Sequence, residues 1–330
     1  MKAIVFDRIG PPLDVLELRD VPTPEPGSRE VLVELLVATV NPGDFFFIEG
    51  LYPEPKKPHL PQQIAGTGGA VGRVIRGGGE TSIEPGTLVS FAYYGAWAEL
   101  AVVPEEWLIP LPAGYPLDTA AQLTNVISAV DLLDRAQVRP GQWLALTAGN
   151  STVATLVLQL ARAREIKVLS LVRRAQPDLD LRAWGAAEVI ELSRLPAGAR
   201  VADRVAEVTG GAGLHGVIDA VGGPLLGDLV RSLAMGGRAI VYGAFSQEPF
   251  TLHSAELLMK ASTIETYAYR YFFSPPPKQD AAWLESVIAQ AGQDSLRMRI
   301  AGRHSLDDFA SAVRETIEHG ERGKRLLVTR

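Results

Sequence analysis

The stretch that decides the fold is WLALTAGNSTVATLVLQLARAREIKVLSLVRR, residues 143–174 of a 330-residue chain. Its first apolar run, Trp143–Thr147, predicts a buried strand, and a turn of small residues leads from it into a helix predicted over Thr152–Arg164. Within that helix the apolar residues recur at intervals of three and four, which places them on one buried face. A second apolar run, Lys167–Val172, follows. The stretch is therefore a strand–helix–strand unit of a parallel sheet.

The same alternation continues beyond this unit. Further predicted strands are Glu188–Leu192, Gly216–Val221, Arg238–Tyr242 and Ser262–Ala268, with helices predicted over Leu179–Gly185, Val201–Thr209 and Pro224–Met235. Alternating strands and helices indicate an α/β fold, a doubly wound parallel sheet with helices on both faces.

The two ends of the chain have a different pattern. The first hundred residues hold short Val-, Ile- and Leu-rich runs separated by Pro/Gly turns, which predict a β-rich, barrel-like module. Residues 271–330 return to a mixed pattern, with helices predicted over Asp280–Ala291 and Ser305–His319 and a terminal strand over Arg325–Thr329.

Composition excludes several kinds of chemistry. The chain contains no Cys, so disulfides, Cys-ligated zinc, iron–sulfur clusters and cysteine nucleophiles are all ruled out. None of the five His residues has another at the i, i+4 spacing of a helical metal site. A net charge of −6 argues against binding to nucleic acid or an anionic membrane surface, and no apolar run is long enough to span a bilayer. We expect a soluble, cytoplasmic protein that acts on a small molecule.

The turn after the first strand of the opening stretch is a candidate phosphate site. A pyrophosphate approaching this turn would meet backbone N–H groups at the positive end of a helix, so Asn150, Ser151, Thr152 and Val153 are candidate cofactor-binding residues. Small residues stand where the glycines of a dinucleotide fingerprint are usual, and an ordinary strand–helix turn is the alternative interpretation.

The end of the second strand indicates which dinucleotide is bound. NAD enzymes usually place a carboxylate there for the ribose 2′-hydroxyl, whereas this chain has Arg173 and Arg174. Two guanidinium groups suit a 2′-phosphate and therefore predict NADPH, the alternative being two solvated surface charges.

These residues, together with Asp219-Ala-Val-Gly-Gly223 and the closing Gly323–Val328, resemble the medium-chain dehydrogenase/reductase superfamily along essentially the whole chain. The resemblance implies a GroES-like catalytic domain from residues 1–117 and 271–330, and a Rossmann NADPH-binding domain from residues 118–270. It further implies an active site in the cleft between the two domains and a homodimer formed through Rossmann edge strands.

Two short segments place the chain within that superfamily. Its zinc alcohol dehydrogenases need a Cys near residue 40 and a Gly-His-Glu element, where this chain has Asn41-Pro-Gly-Asp44 and Gly66-Thr-Gly-Gly69. The resemblance is therefore to the zinc-free branch of quinone oxidoreductases and enoyl thioester reductases, and no metal is expected.

The segment NPGDFFFIEGLYP, residues 41–53, is similar to the enoyl thioester reductase pattern whose tyrosine is the proposed proton donor. The resemblance assigns that role to Tyr52, although loop packing among prolines is an alternative and Tyr93 and Tyr94 are rivals. Asn125-Val-Ile-Ser128-Ala resembles a family motif that faces the cofactor, so Asn125 is expected to be catalytic and Ser128 to bind the cofactor. The remaining expected cofactor-binding residues are Asn41, Tyr242, Gly243, Ala244 and Lys324.

Two further expectations concern the surroundings of Tyr52. The first is an aromatic cluster made of Tyr267, Tyr269, Tyr271, Phe272 and Phe273. Its tyrosines occupy alternate positions, so on a strand they share one face, which lines the substrate pocket or packs in the core or at a dimer interface. A carboxylate at Glu49 is expected to raise the pKa of Tyr52.

The sequence thus predicts an NADPH-dependent, zinc-independent reductase of activated C=C bonds, with trans-2-enoyl thioesters of acyl-CoA or acyl carrier protein as the favoured substrates. A quinone or alkenal reductase is the alternative enzyme, and a non-catalytic dinucleotide-binding sensor or structural homologue is the alternative of another class.

Overall fold

A computed structural model of the chain describes residues 1–196, 198–292 and 296–329. The chain forms two compact units. The first combines Met1–Val126 with Tyr271–Arg330, and the second is Ile127–Arg270. None of the helices in the described residues has the length and apolar character needed to cross a membrane.

The N-terminal part of the first unit is mostly strands. Its strands are β1 Lys2–Phe6, β2 Glu17–Asp20, β3 Glu30–Val40, β4 Gln63–Ile64, β5 Gly69–Gly77, β6 Leu88–Ala92, β7 Leu100–Pro104 and β8 Ile109–Pro110. Its helices are α1 Pro12–Val15, α2 Pro42–Ile48 and α3 Leu117–Ala121, and α4 Leu123–Ala136 follows. The aromatic side chains of Phe6, Phe47, Phe91 and Trp97 are buried in its core.

The second unit alternates strands and helices. Its strands are β9 Trp143–Leu146, β10 Lys167–Val172, β11 Ala186–Glu191, β12 Leu214–Asp219, β13 Leu233–Val241 and β14 Thr263–Thr266, and its helices are α5 Thr152–Ala163, α6 Val201–Thr209, α7 Gly223–Arg231 and α8 Ser254–Leu258. All the strand pairs are parallel, in the order β11-β10-β9-β12-β13-β14. This order reverses direction beside β9, as it does in doubly wound dinucleotide-binding sheets.

The C-terminal segment returns to the first unit. Its elements are α9 Ala281–Ala291, β15 Ile300–Ser305, α10 Phe309–His319 and β16 Lys324–Val328. Strand β16 pairs antiparallel with β3, and Arg325 stands opposite Val40. This register brings Lys324 to Asn41, although 283 residues separate them in the chain. The larger sheet runs in the order β15-β16-β3-β5-β6-β8, and β2-β1-β4 form a smaller one. The predicted fold class is confirmed.

One predicted helix is wrong, and one predicted strand is shorter than expected. The segment 179–185 forms turns rather than a helix, because the Asp180 carboxylate accepts the N–H groups of Arg182 and Ala183 and Gly185 has a φ of 121°. The strand predicted over Ser262–Ala268 ends at Thr266, so the three tyrosines that follow do not share a strand face.

Candidate active site

Tyr52 lies in the first unit between two aromatic rings. Its ring centroid is 6.1 Å from that of Phe46 and 5.0 Å from that of Phe272, both in edge-on arrangements. A methyl group added to Gly43 would lie 2.9 Å from the Tyr52 hydroxyl, so the glycine makes room for that oxygen at the start of α2. The phenol is half-buried, and burial, followed by the charge of Asp44, raises the pKa of Tyr52 to about 12. A phenol with this pKa holds its proton throughout the neutral range.

The expectation for Glu49 is wrong. The carboxylate that raises the pKa of Tyr52 belongs to Asp44, which is buried at the start of α2, whereas Glu49 follows the end of that helix. Glu49 is closer to Tyr52 in the sequence, but Asp44 is the carboxylate that is buried and that acts on the Tyr52 phenol.

Asp44 organises a buried polar network. One carboxylate oxygen accepts the Thr67 N–H at 2.7 Å, the Thr67 hydroxyl at 3.1 Å and the Gly68 N–H at 2.9 Å. The other accepts the Asn41 N–H at 2.8 Å. Burial raises the pKa of Asp44 while these donors lower it. The network fixes the loop before β5 against the start of α2.

Lys324 joins this network through Asn41. Its ammonium donates to Asn41 Oδ1 at 2.5 Å, and the Asn41 amide donates to Thr39 Oγ1 at 2.7 Å. Burial lowers the pKa of Lys324 to about 8, the charge of Asp44 raises it, and Arg325 lowers it further. Two predicted cofactor-binding residues, Asn41 and Lys324, are therefore in direct contact.

These residues do not fit a zinc ion. Asp44 already accepts hydrogen bonds on both oxygens, and the positively charged Lys324 ammonium donates a hydrogen bond to the neighbouring Asn41. Across residues 1–196, 198–292 and 296–329, no three His, Cys, Asp or Glu side chains gather as a metal site would require.

The rival tyrosines lie in the same unit. Tyr93 and Tyr94 are half-buried with ring centroids 5.1 Å apart, and burial raises the pKa of both. The Tyr94 hydroxyl donates to the Pro55 carbonyl at 3.4 Å, whereas the sequence-predicted aromatic cluster contributes Phe272 to Tyr52. The assignment of Tyr52 as the acid stays a prediction from the sequence.

The rest of the aromatic cluster is divided between the two units. Tyr267 is buried in the second unit, while Tyr271 in the first donates to Asp280 Oδ2 at 2.9 Å.

In the second unit, the turn between β9 and α5 forms a cradle. A Cβ at Gly149 would lie 2.0 Å from Ser170 Oγ, so only glycine allows the turn to approach β10 this closely. The Ser151 hydroxyl caps α5 by accepting the Ala154 N–H at 3.3 Å. The N–H groups of Thr152 and Val153 belong to the first helical turn and have no acceptor within the helix. They are available to a phosphate.

The predicted 2′-phosphate residues lie beside this cradle. The Asn150 amide donates to the Arg174 carbonyl at 2.9 Å, which links the turn to the end of β10. The side chains of Arg173 and Arg174 are exposed there. The structure therefore brings Asn150 and both arginines together, and the donor set suits a dinucleotide that carries an additional phosphate.

Tyr242, Gly243 and Ala244 form the loop after β13. Burial raises the pKa of Tyr242 to about 12, whereas its hydrogen bond with Ser151 lowers it. This bond connects the loop directly to the helix cap of α5.

Sequence reasoning missed Asp219 as a positioning residue. Its carboxylate accepts the Thr147 hydroxyl and the Gly222 N–H, each at 2.7 Å, and is fully buried. A carboxylate directly after the apolar residues Val217 and Ile218 at the end of β12 was the available signal. The bonds tie the ends of β9 and β12 together at the edge where the cradle lies.

Two predicted residues lie on α4. Asn125 is half-buried near the start of the helix. Ser128 is buried beside Tyr267, and its hydroxyl lowers the pKa of that phenol while burial raises it.

The fold defines a class: a two-unit protein with a dinucleotide-binding parallel sheet in one unit and a β-rich unit that holds the half-buried Tyr52 and the buried Asp44 network. Family comparisons agree. The family described as zinc-binding dehydrogenase matches residues 152–285, and the alcohol dehydrogenase GroES-like domain matches residues 27–113. The chain belongs to the medium-chain dehydrogenase/reductase superfamily.

Relatives whose names state an enzymatic activity align with nearly the whole chain. The human mitochondrial enoyl-[acyl-carrier-protein] reductase is 31% identical over 341 residues, which span 99% of this chain and 88% of the relative. A quinone oxidoreductase from Pseudomonas aeruginosa is 28% identical over 99% of both chains. A mycobacterial protein solved with NADPH superimposes with a TM-score of 0.83 at 25% identity over 99% of both chains.

Proposed function

We propose that the chain is an NADPH-dependent, zinc-independent reductase of activated carbon–carbon double bonds, with enoyl thioesters as the favoured substrates. The observation that carries the proposal is the Tyr52 phenol, half-buried between two rings and protonated at neutral pH. An acid of this kind suits a reaction in which a carbon atom must receive a proton after hydride addition.

The cofactor assignment has independent support. The cradle at Gly149, the first turn of α5 and the pair Arg173 and Arg174 together offer donors for a pyrophosphate and a 2′-phosphate. A homologous structure was solved with NADPH. Lys324 is a further proposed contact.

NADPH, when bound, supplies the hydride that the β-carbon of the substrate receives. In this proposal Tyr52 gives its proton to the α-carbon. The proposed role of the Asn125 amide is to donate to the oxygen on which negative charge develops or to hold the nicotinamide carboxamide. Burial and the Asp44 charge raise the pKa of Tyr52, so the phenol stays protonated until it transfers its proton to the α-carbon.

The relatives' names support two kinds of acceptor. Enoyl-[acyl-carrier-protein] reductases and a quinone oxidoreductase are both similar to this chain. We favour the enoyl thioester because the Asn41–Pro53 segment resembles the sequence pattern of enoyl thioester reductases. A quinone reductase is the second candidate, since the rings of Phe46 and Phe272 beside Tyr52 also suit a flat acceptor.

An acceptor screen tests the proposal. Purified protein is mixed with NADPH and, separately, with crotonyl-CoA, a simple quinone and a medium-chain enal, while absorbance at the NADPH band is followed. We expect the fastest oxidation with the thioester. NADPH binding without oxidation by any acceptor would overturn the enzyme assignment in favour of a non-catalytic binding protein.

We also propose that the protein is a cytoplasmic homodimer. The strand β14 is the edge of the parallel sheet, and the exposed Leu258 and Met259 lead into it. A second copy of β14 would satisfy this edge and cover the apolar residues. A cytoplasmic location suits the proposed reductant, and fractionation of the source cells tests it.

A further inference from the structure

The loop that follows Tyr52 carries a lysine in an aromatic cage. The Lys56 ammonium stands 4.7 Å from the Tyr94 ring centroid, 5.1 Å from that of Trp107 and 5.3 Å from that of Phe272. We call these four residues the Lys56 cage. Ring faces attract a cation, which holds the ammonium in place.

The cage leaves the lysine's charge incompletely compensated. Lys56 is half-buried, and burial lowers its pKa. In the part of the chain that the structure describes, no carboxylate pairs with this ammonium. Glu54 and Glu106, which are close in the chain to the cage residues Lys56 and Trp107, are exposed, and their charges add to the burial that raises the pKa of Tyr94 and Tyr93 respectively. Aromatic faces accept no strong N–H hydrogen bonds, so the ammonium keeps donors for an anion.

The cage adjoins the proposed acid through one shared ring. The Phe272 centroid is 5.0 Å from that of Tyr52 and 5.3 Å from Lys56 Nζ. Tyr94, on another wall of the cage, also lines an open cleft of about 320 Å³ together with Tyr93, His59 and Gln62.

We propose that Lys56 is a specificity-determining residue that binds an anionic group of the substrate, a carboxylate or a phosphate. This group would lie close to the reacting double bond, because the Phe272 ring lies beside both Lys56 and Tyr52. The proposal rests on the reductase function proposed above and narrows its substrate class. An anion at this position would form charge-assisted hydrogen bonds with the ammonium and restore the solvation that the cage removes. The carboxylate would terminate a short acyl chain, and the phosphate would belong to the carrier arm of the thioester.

Three thioesters distinguish these sources. Crotonyl N-acetylcysteamine is neutral, glutaconyl N-acetylcysteamine adds a carboxylate at the far end of the acyl chain, and crotonyl phosphopantetheine adds a phosphate on the arm. The values of kcat/KM are compared for the unchanged chain, Lys56→Met and Lys56→Arg. Lys57→Met is the matched control, because Lys57 is exposed and its loss changes the net charge equally.

We expect Lys56→Met to lower kcat/KM about tenfold or more for one of the two anionic substrates, to spare the neutral one, and to be rescued in part by Lys56→Arg. An equal loss on all three substrates, or an effect matched by Lys57→Met, would overturn the proposal and make the cage structural. Thermal midpoints of all variants exclude misfolding.

A binding measurement separates this proposal from the reductase function. Titration calorimetry with glutaryl and butyryl N-acetylcysteamine and with butyryl phosphopantetheine measures affinity without turnover. If no substrate is reduced but Lys56→Met weakens only the binding of an anionic compound, the reductase function fails and the anion site stands. If the reductions proceed and Lys56→Met leaves every anionic affinity unchanged, the anion site fails alone.

Discussion

At the residue scale, Gly43 and Asp44 at the start of α2 affect the position and the pKa of the Tyr52 hydroxyl. Gly43 leaves the space for the oxygen, and the Asp44 charge adds to burial in keeping the proton on it. Neither effect can be computed from the sequence, since the chain folds back over α2 before Tyr52 reaches these residues. The motif predicts Tyr52 as the acid but not what holds its proton.

Tyr52→Phe should lower turnover about 100-fold or more while leaving the NADPH dissociation constant nearly unchanged, because it removes only the donated proton. Steady-state kinetics and a fluorescence titration measure the two quantities. Gly43→Ala should also lower turnover by displacing the hydroxyl, and the double variant should be no slower than Tyr52→Phe alone.

Gly79→Ala is the control, since no atom lies within 4 Å of the added methyl group. Parallel loss of cofactor binding in Tyr52→Phe would identify the tyrosine as structural.

Lys324 predicts a pH dependence of cofactor binding. Its ammonium is charged below about pH 8 and neutral above it, because burial lowers its pKa from 10.5. If it contacts a phosphate of NADPH, the dissociation constant should rise as the pH increases through 8, whereas Tyr52, with a pKa of about 12, should remain protonated. Titrations between pH 6.5 and 9.5 measure this, and Lys324→Met should remove the dependence. The same slope in Lys324→Met would assign it to another group.

At the element scale, the turn between β9 and α5 departs from the G-x-G-x-x-G pattern that is usual in dinucleotide-binding folds. Of the three fingerprint glycines the chain has only Gly149, where an added Cβ would clash with Ser170, and at the second position Ser151 caps the helix through its hydroxyl. Periodicity predicted the strand and the helix on either side. The tie from Asn150 to Arg174 and the bond between Ser151 and Tyr242 involve distant segments, so no local pattern indicates them.

Arg173→Ala with Arg174→Ala should weaken NADPH binding roughly tenfold or more and leave NADH binding nearly unchanged, because only NADPH carries the 2′-phosphate. Dissociation constants for both nucleotides give the ratio. Arg194→Ala with Arg200→Ala removes the same charge from exposed positions of this unit and serves as the control. An unaltered ratio in the Arg173 and Arg174 variant would refute the 2′-phosphate assignment.

At the scale of the whole molecule, the C-terminal segment returns to the first unit and contributes Lys324 and Phe272 to the candidate residues there. The pairing of β16 with β3 brings Lys324 to Asn41. Composition and the change in pattern near residue 271 predicted that the two ends differ from the middle, and the resemblance predicted that they combine. The strand register, which decides the contact, depends on long-range pairing and lies beyond a reading of local sequence.

The proposed dimer should have twice the 35.5 kDa mass of the chain when measured by light scattering. Leu258→Asp with Met259→Asp should dissociate it, because these side chains are 72% and 65% exposed in one chain and would place charges in the interface. Ile317→Asp, at an apolar side chain that is 52% exposed on α10, should not. A single-chain mass for the unaltered protein would contradict the dimer.

In the proposed reaction, hydride from NADPH reduces an activated double bond and a proton completes the product. The most direct measurement is product analysis by mass spectrometry and NMR after crotonyl-CoA is incubated with NADPH deuterated at the nicotinamide C4 on the transferred face, and, separately, with unlabelled NADPH in heavy water. We expect butyryl-CoA with one deuterium on the β-carbon in the first experiment and one on the α-carbon in the second. Oxidation of NADPH without butyryl-CoA, or label from NADPH on the α-carbon, would contradict it.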